Sequence, residues 1–139
     1  FEDNTSNPFI HVADLAQSKA QLKRIRSSIK HVNYFLSKMD FEFKTFHDIK
    51  PCHIEDKFLG RLATYFGQNA KSFFKKRKPL AYLTALNYMS AFKSAFIHKH
   101  KHLPELPSFF QNDRWHTYLS SIYKLKYKYA MENGTVSKI

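Results

Sequence analysis

The chain is short of acids, glycine, proline and cysteine. Its 139 residues include 3 Gly and 5 Pro. An all-β protein full of tight turns usually needs more of both, and the long proline-free stretches favour helices. Cys52 is the only cysteine, so no internal disulfide can form and nothing points to an oxidising compartment. An intracellular setting is expected, the nucleus if the host is eukaryotic. No apolar run approaches the ~20 residues that a membrane span needs, no signal peptide is visible, and a membrane partner is not expected. The chain starts at Phe1 rather than Met, so it is expected to be a piece of a longer protein. A glycine-rich phosphate loop and a paired-carboxylate arrangement are both missing.

The shortage of acids matters most. Against 23 Lys and Arg stand 11 Asp and Glu, a formal charge of +12. So large a surplus repels itself in the compact state. Nucleic acid is the first candidate to neutralise it, because each phosphate contacted releases counterions. An anionic membrane surface comes second. A plain solubility surplus is the bland alternative.

What is present suffices for a core. Hydrophobic residues make up 43% and aromatics 17%, which argues against global disorder. Residues 1–12 read as a flexible arm, residues 13–134 as one helical domain, and 135–139 as the start of a linker. The first helix is expected from about Asp14 to Lys38, with Leu15, Leu22, Ile25, Ile29, Val32 and Leu36 as one apolar stripe. Asp14 suits its N-cap or first turn. Lys19, Lys23, Arg24, Arg26 and Lys30 occupy the other face. Phe41, Phe43 and Phe46 are too close for one helical face, and Pro51 interrupts, so a packed connector follows.

A second helix is expected over Glu55–Asn69, burying Phe58, Leu62 and Tyr65 or Phe66, with Gly67 and Asn69 weakening its end. Lys75, Lys76, Arg77 and Lys78 then precede Pro79, which suits a first helical turn. A third helix is predicted from about Leu80 to His100. Tyr82, Leu86, Met89, Phe92 and Phe96 point inward, and Thr84, Asn87, Ala91, Ser94 and His98 make a small polar face. A fourth helix starts near Asn112, with Trp115, Leu119, Ile122, Leu125 and Tyr129 inward, and stops at Asn133-Gly134. The fold class expected is all-α, a four- to five-helix orthogonal bundle.

Several residues invite a chemical reading. The cluster at Lys71 and Lys75–Lys78 suits phosphate contacts, which position a protein without reading sequence. It also suits a solvated loop or a nuclear-localisation patch. His98, His100 and His102 alternate across a helix with no nearby Cys or carboxylate, so they read as polar residues at a frayed end rather than metal ligands. Cys52-His53 lacks an orienting third residue. The eight tyrosines could include a nucleophile for DNA cleavage, but most read as packing residues, and Trp115 reads as a core anchor. No metal, cofactor or catalytic residue is expected.

The segment KPLAYLTALNYMSAFKSAFIHKH resembles a stretch of the core-binding domains of tyrosine recombinases, the phage-integrase-like enzymes, through Thr84, Tyr88, Met89, Ser90, Ala91, Lys93 and Phe96. IEDKFLGRLATYFGQNAK resembles the helix before it, and LPSFFQNDRWHTYLSSIYKLKYKYAMENG the last helix before the catalytic domain. The F-Q-N-x-x-W and A-x-E-x-G spacings resemble recombinase-like proteins of eukaryotic mobile elements such as Cryptons. The resemblance spans roughly residues 15–135. It implies a SAM-like helical domain that binds double-stranded DNA, clamps it together with the catalytic domain of the parent chain, and assembles as a homo-oligomer on paired half-sites. It implies no catalysis by this chain alone, since the family's catalytic residues lie in the other domain.

For such a function, Lys75, Lys76, Arg77, Lys78, Thr84, Asn87, Lys93 and Ser94 are expected at the groove, with Lys23, Arg24 and Lys30 on the flanking backbone. Asn87 and Thr84 have the chemistry to reach base edges. Two other readings of the charge stand beside DNA. One is a helical domain that docks an acidic protein. The other is an RNA-binding module stacking Phe73, Phe74 or Tyr82 on unpaired bases.

Overall fold

The computed structural model describes residues 12–73 and 77–132. Over these residues the chain forms four α-helices: α1 (Val12–Ser37), α2 (Asp56–Thr64), α3 (Tyr82–Lys99) and α4 (Asn112–Glu132). No strand occurs among them; the one β-like feature is an isolated bridge between Lys71 and Pro79. The fold is all-α over the described residues, in line with the sparse glycine and proline. The N-terminal arm, the linker, Phe74, Lys75 and Lys76 lie outside the described residues.

The core is aromatic and continuous. Phe58, Phe66, Phe92, Phe96 and Phe110 are each less than 2% exposed, with Leu36, Ile49, Leu59, Leu62, Met89 and Ile122 around them. Edge-to-face pairs dominate, such as Phe58 with Phe92 at 5.8 Å and Phe110 with Trp115 at 5.4 Å. In this geometry the positive ring edge meets a negative face. Trp115 is buried, as expected of a core anchor.

Three polar ties fix the elements to one another. Asn33 of α1 accepts a hydrogen bond from the Phe46 amide at 2.8 Å, which pulls the Phe-rich connector onto α1. Lys99 donates to the His47 carbonyl at 2.7 Å and lies over the Phe46 ring, holding the connector to α3. Tyr118 of α4 donates to Asp56 at the start of α2 at 2.8 Å. Burial and the adjacent carboxylate both raise the Tyr118 phenol, so it remains the donor.

The structure departs from the sequence expectations at five points. First, the α1 stripe is not buried along its whole length: Leu22 is 49% exposed and Ile25 and Ile29 are half-buried, whereas Val32 and Leu36 are fully covered. The core lies under the second half of the helix. Second, the helix predicted over Glu55–Asn69 is α-helical only to Thr64 and finishes as a π turn, Tyr65–Asn69, closed by the Ala70 amide on the Tyr65 carbonyl.

Gly67 explains this ending in part. It lies flat against α4, where an added Cβ would stand 2.9 Å from Leu125 Cδ1 and 3.0 Å from Leu125 Cβ. Third, α3 begins at Tyr82, with Ala81 at its N-cap. Pro79 is therefore not in its first turn but in the bridge to Lys71. Fourth, Tyr82 does not point inward. It is 36% exposed, and Ala85 takes the buried position. His100 also departs from a frayed end: its ring folds back over Phe96 at 4.3 Å, and burial lowers its basicity.

Candidate nucleic-acid interface

α1 and α3 lie side by side. Ser28, fully buried on α1, donates to the Tyr88 carbonyl of α3 at 2.5 Å. Toward the start of α1, Gln21, Arg24 and Ile25 line a cleft with Asn87, Ser90, Ala91 and Ser94. Toward its middle, Arg26, Ser27, Lys30 and His31 line a second cleft with Ser72, Phe73, Leu80 and Tyr88. Both clefts lie along the contact between α1 and α3, the seam of the bundle. On α3 its outer edge is Asn87, Ser90 and Ser94, all exposed, and Leu83 lies on the same side, 67% exposed. Helical spacing explains the grouping: residues three and four apart share a face.

The loop of residues 70–80 closes one end of the seam. The Ser72 amide donates to the Lys78 carbonyl at 2.7 Å, and the Leu80 amide to the Ala70 carbonyl at 3.2 Å. Arg77 has φ of 54°, in the left-handed region that few non-glycine residues adopt. Phe73 anchors the loop to α1, with its ring 4.3 Å from that of His31. The Lys30 ammonium is 4.7 Å from the centre of that ring and the Arg77 guanidinium 5.9 Å. One ring therefore gathers two cations from separate segments.

His31 lies beneath them and is 2% exposed. It shares a 2.9 Å hydrogen bond with the Tyr65 hydroxyl. Burial, with Lys30 and Arg77 nearby, lowers its pKa to about 4. The imidazole is thus neutral near pH 7 and adds no charge of its own. Tyr65 is pushed up by its burial, so its proton stays in place. The pair fills the base of the seam through packing and hydrogen bonding.

Of the residues expected at the interface, Arg24, Asn87 and Ser94 meet in the first cleft. Lys30 and Arg77 meet at Phe73. Lys78 is exposed in the loop, Lys23 is exposed on α1, and Thr84 is half-buried. Lys93 is not brought to the seam. It lies about half a turn round α3 from Thr84, with its ammonium 5.1 Å from the Trp115 ring centre, and burial lowers its pKa. Lys75 and Lys76 lie outside the described residues.

Sequence reasoning missed Gln21, Ser90 and Leu83 on the edge of the seam, and His31 beneath it. The first three carry a signal in the helical spacing from Arg24 and Asn87. His31 carries none, because its partner Tyr65 is distant in sequence.

The charge is segregated by segment. No acid occurs from Leu15 to Met39 or from Lys57 to Pro104. These stretches include nearly all of α1, the loop and the whole of α3. Asp40, Glu42 and Glu55 share a separate cleft beside Phe43 and His53. A further cleft of about 490 Å³ between α1 and α2 is lined by Tyr34, Phe35, Met39 and Tyr65 with Lys38 and Arg61. It lies outside the seam and contains no carboxylate or histidine.

A helical bundle with a basic two-helix seam defines a class of candidate polyanion-binding domains. Within it the family is shown: a family model described as "Phage integrase SAM-like domain" matches residues 7–99. The chain belongs to that family and is a tyrosine recombinase-related domain. The match runs through α1, α2, the loop and α3. No curated protein and no solved structure matches the chain.

Proposed function

We propose that this domain binds double-stranded DNA along the α1/α3 seam and is not catalytic by itself. The observations that carry the reading are that Arg24 of α1 shares a cleft with Asn87 and Ser94 of α3, and that Lys30 of α1 and Arg77 of the loop meet on the Phe73 ring at a second α1/α3 cleft. α1 and the loop contact phosphates, and the α3 edge faces the major groove. Lys and Arg on phosphates fix register and orientation. Asn87 reads a base edge, since its amide can bond an adenine bidentately, and Leu83 offers apolar contact to a thymine methyl. The catalytic steps belong to another domain of a recombinase-like parent protein, and copies of the domain assemble on paired half-sites, in the nucleus if the host is eukaryotic.

The reading is tested by changing Lys76 and Arg77 to Ala together and measuring duplex affinity by fluorescence anisotropy. Affinity falls on every sequence alike, and the slope of log affinity against log salt becomes shallower by about 2. Unchanged affinity and slope would show that the loop is merely solvated.

A further inference from the structure

A second aromatic surface lies away from the seam. Among the tyrosines whose side chains are described, Tyr65 and Tyr118 are buried, Tyr88 is half-buried, and Tyr34, 38% exposed, packs against Tyr65 and Phe73. Tyr82, Tyr123 and Tyr127 instead stand 36%, 53% and 51% exposed. They form one row. Tyr82 meets Tyr123 edge-on at 5.5 Å, and Tyr123 lies nearly parallel to Tyr127 at 6.3 Å. The row crosses from the start of α3 to α4. A contiguous set of exposed rings is costly in water and marks a contact surface.

Its borders are cationic. Lys124 and Lys128 are exposed, and each follows a tyrosine of the row by one residue, about 100° round the helix. Lys126 is half-buried on the other flank. No acid occurs between Asp113 and Glu132. Rings in a row with ammonium groups beside them match the two needs of an unpaired strand: bases stack on aromatic faces, and phosphates follow the positive border. An acidic protein would use the lysines but has no special need of three exposed rings.

We propose that the Tyr82–Tyr123–Tyr127 row is a stacking platform for the unpaired bases of single-stranded DNA, with Lys124 and Lys128 on its phosphates. The proposal rests on the nucleic-acid reading above but uses a different surface from the duplex seam. Each ring is at a helix surface, where truncation leaves the core intact.

The test uses the 139-residue chain and a labelled oligo(dT) strand, which forms no duplex. Changing Tyr123 and Tyr127 to Ala weakens binding roughly five- to a hundredfold per base stacked, and changing both to Phe retains it. A strand of the same length with abasic sites binds the unaltered protein as weakly as oligo(dT) binds the Ala variant. Duplex affinity is the same for all three proteins, and circular dichroism checks their folding.

Equal oligo(dT) binding by the Ala variant overturns the proposal, as does an abasic strand that binds as tightly as oligo(dT). Binding of oligo(U) without oligo(dT) overturns the assignment to DNA. Loss of duplex binding with the single-strand results intact overturns the seam reading and leaves this one standing.

Discussion

His31 is covered by Phe73, Tyr88 and Tyr65, and its pKa of about 4 has a consequence for stability. The folded state favours neutral imidazole, whereas an unfolded chain protonates it near the ordinary value of about 6.5. The stabilisation is therefore complete above about pH 6.5 and is lost as pH falls toward 4, by on the order of 3 kcal/mol at most. Urea denaturation across that window reads it. His31→Gln keeps a hydrogen-bonding partner for Tyr65, and its denaturation midpoint is predicted to fall less steeply with acid. Parallel curves would mean that other groups set the acid response.

Gly67 poses a different residue-scale question. Gly67→Val places side-chain carbons where Leu125 already stands, with Leu125 Cβ only 3.0 Å from the new Cβ. Overpacking of this kind costs about 1–3 kcal/mol, and β-branching gives no helical gain to offset it. A lower urea midpoint is expected; an unchanged one would show that α4 moves aside freely. Neither site was fully legible in the sequence. Gly67 read correctly as a helix end, but the reason lies in α4. His31 resembled one polar residue among many because burial depends on distant neighbours.

Among the elements, the 70–80 loop is set apart by its dependence on one ring. Phe73 touches His31, Lys30 and Arg77, and each cation–π contact contributes about 0.5–1 kcal/mol. Phe73→Ala releases the loop from α1 while leaving the four helices formed. Trypsin is expected to cut after Arg77 faster in the variant, with little change in the helical circular dichroism and weaker duplex binding. Equal cleavage rates would place the anchor elsewhere.

Helix periodicity made α2, α3 and α4 legible because their apolar spacing persists through the core. It overstated α1, whose first half carries Leu22 and Ile25 beyond the fully buried layer. It also overstated Tyr82, which lies at the rim of the α3–α4 contact against the exposed Tyr123 rather than within the core. On α3 it correctly grouped Asn87 with Ser94. Lys93 turns instead toward Trp115 of α4, because nearness in sequence does not mean a shared face.

Across the whole molecule, the separation of charge by segment becomes a separation in space. α1, the loop and α3 lack acids from Leu15 to Met39 and from Lys57 to Pro104, and they pack together. The basic composition was plain in the sequence, but its arrangement along one seam required the α1–α3 contact. Binding through this surface must therefore respond steeply to salt. If Arg24, Lys30, Arg77, Lys78 and one neighbour each neutralise a phosphate, log affinity for duplex DNA falls against log salt with a slope of about −4 to −5. The direct measurement is the duplex affinity of the unaltered chain from 50 to 200 mM salt: a loss of a few hundredfold is predicted, and an affinity that hardly changes would contradict phosphate neutralisation by the seam.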